Sequence, residues 1–165
     1  VLAAGLAAVA AVGLVVTGGG APAPQSEAFA VELATADGGT TTLAGFTGRP
    51  LVVNFFASWC PPCRAEMPAI EAVHQGFGDR VRVLGVNVDF DTSTWRSFVA
   101  ESGVTYETVF EPTQDLLRAL GGTGMPTTVL LSGDGEVVHV HTGILDEASL
   151  SRLIEDRLLG TGGSR

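Results

Sequence analysis

The two cysteines of the 165-residue chain, Cys60 and Cys63, are separated by Pro61 and Pro62. A C-x-x-C pair can close a small disulfide ring, and opening that ring reversibly is redox chemistry. The pair follows an apolar run, Leu51 to Ala57, broken only by Asn54, and it opens a helical pattern. A sulfur at a helix start is favoured as thiolate by unpaired amides and the local dipole. Cys60 is therefore expected to be the exposed attacking sulfur and Cys63 the resolving one. Pro61 has no N–H to offer the thiolate, and its ring stiffens the turn. Trp59 can present a flat contact surface to a partner chain or serve as a core aromatic. Glu66, three residues after Cys63, sits close enough to act on the site electrostatically, or it is an ordinary solvated acid.

The same spacing also suits a structural disulfide or half of a zinc site. A zinc ribbon needs a second ligand pair, and His74, His139 and His141 bring no further cysteines. His139 and His141, two apart on a strand, share a face and read as an exposed pair. A peroxidase would need an isolated reactive cysteine, which the chain lacks. No metal and no cofactor is expected. Asp89 and Asp91 are read as caps of a following turn.

The elements that must position the dithiol alternate. Phe29–Ala34 and Thr40–Leu43 read as a hairpin turning at Asp37, Gly38 and Gly39. Leu51–Ala57 is a strand buried on both faces. A helix follows from Pro61 through Met67, Ile70, Val73 and Phe77, with Pro68 expected to kink it. Strand Val81–Val88, helix Thr92–Glu101, strand Tyr106–Phe110 and helix Thr113–Leu120, capped by Thr113, come next. Strands Thr127–Leu131 and Glu136–His141 form a hairpin, and Asp146–Leu159 closes the chain as an amphipathic helix. The fold class is α/β: a central mixed sheet flanked by helices, with an N-terminal hairpin.

Nine arginines, no lysine and 18 acidic residues leave a net charge of −9, which excludes a nucleic-acid partner in the absence of a basic cluster. Residues 1–17 hold a charge-free apolar run, read as a signal peptide or a membrane anchor. Residues 18–28, rich in Gly and Pro, read as a flexible linker, 29–160 as one domain and 161–165 as a disordered tail. Either reading of the head places the domain outside the cytoplasm.

The stretch VVNFFASWCPPCRAEMP, Val52 to Pro68, resembles the active-site segment of the exported thioredoxin-like thiol-disulfide oxidoreductases of the TlpA/ResA/DsbE family. GMPT, Gly124 to Thr127, resembles the family's loop opposite the dithiol, and the likeness covers roughly Phe29 to Leu159. It implies a thioredoxin-like fold with a βα insertion and a cis peptide bond before Pro126. It also implies substrate docking on Met125, with Trp59, Pro61, Pro62, Glu66 and Thr127 contributing to docking or tuning. Thioredoxin proper has a buried aspartate where this chain has Asn54, so Cys63 must lose its proton to water or to a carboxylate such as Glu66.

The implied activity is dithiol/disulfide exchange on exported protein thiols. The resemblance points to reduction of apocytochrome c cysteines for haem attachment, with electrons from a membrane thiol transporter of the CcdA/DsbD type. An extracellular oxidant that installs disulfides uses the same backbone, and a redox-inert adaptor or holdase is the reading outside enzymology.

Overall fold

The computed structural model describes residues 23–160. The expected signal or anchor (1–17), the first part of the linker and the tail (161–165) lie outside them. Within the expected linker, Ala23–Ala30 forms helix α1, and Ala28 is fully buried. Tertiary contact overrides composition here. Phe29, expected to open a strand, sits on α1 with its ring filling the space where Gly135 would otherwise carry a side chain.

The hairpin is shorter than its pattern suggested, with β1 at Leu33–Thr35 and β2 at Thr40–Thr41. Asp37 accepts from the Thr35 hydroxyl and from the Gly39 N–H inside the turn, where Gly38 has φ +90°. The central elements follow: β3 (Leu51–Phe56), α2 (Pro61–Phe77), β4 (Arg82–Asn87), α3 (Thr92–Ser102) and β5 (Glu107–Phe110). Then come α4 (Asp115–Ala119), β6 (Thr127–Leu131), β7 (Val137–Thr142) and α5 (Glu147–Ile154), which continues as a π-helical turn over Glu155–Leu159.

The seven strands lie in the order β2-β1-β5-β4-β3-β6-β7. β3 is central, parallel to β4 on one side and antiparallel to β6 on the other. Its six residues are all buried, as the unbroken apolar run required. α2 buries Met67, Ile70, Val73 and Phe77 at helical spacing and continues through Pro68, which lies on its exposed side. Asp91 caps α3 by accepting from the Thr94 N–H at 2.8 Å, and Asp146 caps α5 through the Ser149 N–H at 2.7 Å. α4 departs from expectation: Gln114 stands at its cap position, and Thr113, one residue earlier, accepts from the Asp115 N–H at 3.4 Å. The buried Glu111 carboxylate accepts from the N–H groups of Thr113 (2.8 Å) and Leu116 (3.2 Å), and Gln114 adopts φ 60°. A carboxylate four residues upstream offers two acceptors, more than one hydroxyl can.

Across the sheet, Thr108, Gly85, Asn54, Thr128 and His141 are neighbours in register and share one face. Gly85 leaves the room that the rings of Phe56 and Tyr106 occupy; a methyl there would stand 2.9 Å from each ring. Gly85→Ala is accordingly expected to lower the unfolding free energy by about 1–3 kcal/mol. Urea denaturation measures this, and an unchanged midpoint would show that the rings yield freely.

Candidate active site

β3 delivers the chain to the dithiol, and α2 begins on it. Cys60 is the N-cap of α2, with Pro61 and Pro62 as the first helical residues. Cys60 and Cys63 are joined as a disulfide with their Cα atoms 5.3 Å apart. The Cys63 N–H donates to Cys60 Sγ at 3.2 Å. The two prolines delete the other amides of this first turn, so Cys63 provides the local donor to the sulfur. Cys60, expected to be exposed, retains 4% of its surface and Cys63 none. Cys60 belongs to the buried apolar cluster, which accounts for the difference, and the order of access still favours Cys60.

Before the pair, the loop is pinned from β4. The buried Asp89 carboxylate accepts from the Ser58 N–H at 3.1 Å and the Ser58 hydroxyl at 2.8 Å, and Asn87 Nδ2 donates to it at 2.9 Å. Asp91 is a cap, as expected, whereas Asp89 is an anchor of the active-site loop. Sequence reasoning missed that role because only the parallel pairing of β3 with β4 brings Ser58 to Asp89. Trp59, next in line, is 52% exposed and is a surface residue, not a core aromatic.

Beneath the dithiol, Glu66 is fully buried. One of its carboxylate oxygens accepts from Asn54 Nδ2 at 2.6 Å, the other from the Leu145 N–H at 3.0 Å. Asn54 Nδ2 also donates to the Thr128 hydroxyl at 3.1 Å. The solvated-acid reading of Glu66 is thus overturned: its helical position faces the sheet. Burial pushes the Glu66 carboxyl above its usual range, against the stabilising donation from Leu145 and Asn54.

Opposite, the Met125–Pro126 bond is cis. Met125 is partly buried against the core, and Pro126 is buried. The Gly143 N–H donates to the Pro126 carbonyl at 2.9 Å and ties the end of β7 to this loop. Thr127, expected among the docking or tuning residues, is buried and holds the loop. Its hydroxyl donates to the Gly124 carbonyl at 2.7 Å and meets the Thr142 hydroxyl at 3.1 Å. His139 and His141 are half-buried, not exposed, with rings stacked 6.5 Å apart, and they stand apart from the dithiol. Burial, the Arg157 charge and His141 lower the His139 pKa.

The redoxin family pattern spans residues 19–154. The thiol-disulfide oxidoreductase ResA of Halalkalibacterium halodurans is 30% identical over 120 residues, 72% of this chain and 68% of that protein. This chain belongs to the ResA/DsbE branch of the redoxin family. The thiol:disulfide interchange protein HelX of Rhodobacter capsulatus is 32% identical over 69% of this chain and 64% of its own length. The chain thus spans about two thirds of these curated relatives. Among solved structures, a thiol:disulfide interchange protein DsbE from Chlorobium tepidum superposes with a TM-score of 0.71 at 29% identity. That match covers 76% of this chain and 91% of the other. As a ResA/DsbE-type redoxin carrying a C-x-x-C pair at the start of α2, the chain is a thiol-disulfide oxidoreductase.

Because the folded protein holds the Glu66 proton more tightly than the unfolded chain, the group's stabilising contribution is complete below the ordinary value of 4.5. It is lost as pH rises through the raised value. Glu66→Gln escapes that loss, so the melting temperature of the variant is expected to gain on the wild type as pH climbs from about 4 to about 7. A gap independent of pH would show a carboxyl that titrates normally.

Proposed function

We propose that the protein is an extracytoplasmic reductant of cysteines in exported proteins, tethered or released through its N-terminal segment. Its first client is apocytochrome c before haem attachment, by likeness to the family. The observation that carries the direction is the thin supply of donors at Cys60. In the disulfide form one local amide reaches Cys60 Sγ, at 3.2 Å, and prolines occupy the next two positions; a thiolate with so few donors is weakly stabilised. Weak stabilisation of the reduced form makes the disulfide harder to reduce and the dithiol a better electron donor.

In this mechanism Cys60 loses its proton and the thiolate attacks one sulfur of the client disulfide. The client S–S bond breaks, a mixed disulfide forms, and the second client sulfur leaves as thiolate and takes up a proton. Cys63 then loses its proton, with Glu66 as the nearby acceptor, and attacks Cys60 Sγ. The mixed disulfide breaks and the client leaves with two thiols, while the enzyme holds the Cys60–Cys63 disulfide. Two electrons have passed to the client, and a membrane thiol transporter of the CcdA/DsbD type restores the dithiol. Met125 supplies backbone beside Cys60 for an extended client segment, and Trp59 supplies a surface.

Equilibration of the Cys60/Cys63 couple with defined glutathione buffers tests the direction: the couple is expected to lie well below the glutathione potential, and an oxidising value would reverse the assignment. Pro62→Ala, which restores an N–H, is expected to lower the Cys60 pKa and raise the potential by on the order of 30 mV. Cys63→Ser should trap mixed disulfides with apocytochrome c, and Cys60→Ser should not; equal trapping would refute the roles of the two sulfurs. Glu66→Gln is expected to slow release of the mixed disulfide while leaving its formation nearly unchanged, as read by quenched-flow trapping.

A further inference from the structure

Three bulky apolar side chains stand exposed among the described residues: Trp59 at 52%, Phe90 at 86% and Ile144 at 55%. Topology brings all three to one end of the sheet. β3 and β4 run parallel and both end there, β6 begins there, and β7 ends there. Along that edge the order is Phe90 after β4, Trp59 and Cys60 after β3, Met125 and Pro126 before β6, and Ile144 after β7. Phe90 and Ile144 therefore flank the dithiol on opposite sides. Neither contributes to the buried core.

Each of these residues is followed by an ionised acid. Asp91 adjoins Phe90, and its pKa falls to about 2 through donation from the Ser93 hydroxyl and the Thr94 N–H and hydroxyl. Asp146 lies two residues after Ile144 and is lowered by the Ser149 N–H and hydroxyl. Glu147 stands beside Asp146. Arg64, which lines a cleft with Ser93 and Thr94 on the Phe90 side, is engaged: its guanidinium lies 4.4 Å over the Phe98 ring and 4.0 Å from Glu101. On the Ile144 side the Arg152 charge also acts on Asp146, so Asp146 and Glu147 together leave one net negative charge there; both flanks thus join an apolar side chain to negative charge, on a chain of net charge −9.

The occupant follows from the reaction, and this step rests on the exchange chemistry proposed above. A client must present a cysteine at Cys60, between the two flanks. Cys60 follows β3, one inter-strand step of about 4.8 Å from β4 and two from β7, so an extended chain reaches the Phe90 flank within two residues of the client cysteine and the Ile144 flank within two to three. Side chains of an extended segment return to the same side every second residue. We propose that Phe90 and Ile144 receive bulky apolar side chains two residues before and two residues after the client cysteine. Asp91 and Asp146, with Glu147, favour basic neighbours, so the clients are unfolded, net-basic segments of the pattern apolar-x-Cys-x-apolar.

Symmetric disulfides of five-residue peptides test this with the reduced full-length protein, each rate of thiol release being divided by that of glutathione with the same peptide. Leu-Arg-Cys-Arg-Leu is expected to react about tenfold faster than Ser-Arg-Cys-Arg-Ser. It should also outpace Arg-Leu-Cys-Leu-Arg, which has the same composition in the wrong phase. Phe90→Ser and Ile144→Ser should each shrink the Leu-over-Ser ratio by about threefold.

Asp91→Asn and Asp146→Asn keep a capping side chain. Together they should erase most of the preference for Leu-Arg-Cys-Arg-Leu over Leu-Glu-Cys-Glu-Leu, a preference that falls with added salt in the wild type. Equal normalised rates for all peptides, or a Leu-over-Ser ratio untouched by both serine variants, would overturn the proposal. Hydroxyethyl disulfide separates the two levels. If the protein cannot reduce it, the exchange reading fails; if it can while the peptides tie, only the client preference fails.

Discussion

A carboxylate without access to solvent holds four parts of this molecule in register. Glu66 comes from the second turn of α2 and takes its hydrogen bonds from Asn54 on β3 and from the backbone of Leu145 after β7, while Asn54 reaches on to Thr128 of β6. An ionised group in that position is costly unless its acceptors are filled. The helix that bears the dithiol is thus held to the sheet by polar contacts that are sensitive to protonation. The residue that fixes the height of α2 above β3 also stands one helical turn from Cys63. In the proposed mechanism, structure and proton transfer share one side chain.

The start of α2 shows a complementary economy. An unblocked helix N-terminus would offer several amides to an anion. Here two prolines remove all but one of the nearest, and the loop before them is held in place by Asp89, not by interactions with the sulfur. Rigidity of the approach and stabilisation of the thiolate are therefore separately controlled. A family that uses one fold for electron donors and acceptors can alter the second without disturbing the first.

Much of this was legible in the chain itself, for stated physical reasons. The unbroken apolar run of Leu51–Ala57, the prolines at a helix start and the spacing of Met67, Ile70, Val73 and Phe77 are local signals, and β3 and α2 appear where those signals put them. The GMPT segment likewise anticipated the cis bond. What escaped were long-range pairings between residues that look ordinary alone. Nothing near Asp89 points to Ser58, 31 positions away, and nothing near Glu66 points to Leu145, 79 positions away. Ala23–Ala30 misled in the other direction: prolines and small residues read as a tether, but burial of Ala28 against the domain holds them as a helix. At the start of α4, Glu111, folded back from β5, takes the Leu116 N–H, while the Thr113 hydroxyl accepts only a long bond from the Asp115 N–H, and Gln114 stands at the cap position.

The junction of Asp89 with Phe90 separates two duties within one peptide unit. Residue 89 is inside, committed to the loop before the sulfurs, and residue 90 is outside, with 86% of its surface exposed. Evolution can therefore exchange the outer side chain freely, whereas the inner one is constrained by every contact it makes. Lineages of this enzyme should diverge at position 90 while staying fixed at position 89, and a change of clientele would be recorded there as a substitution that leaves the fold untouched.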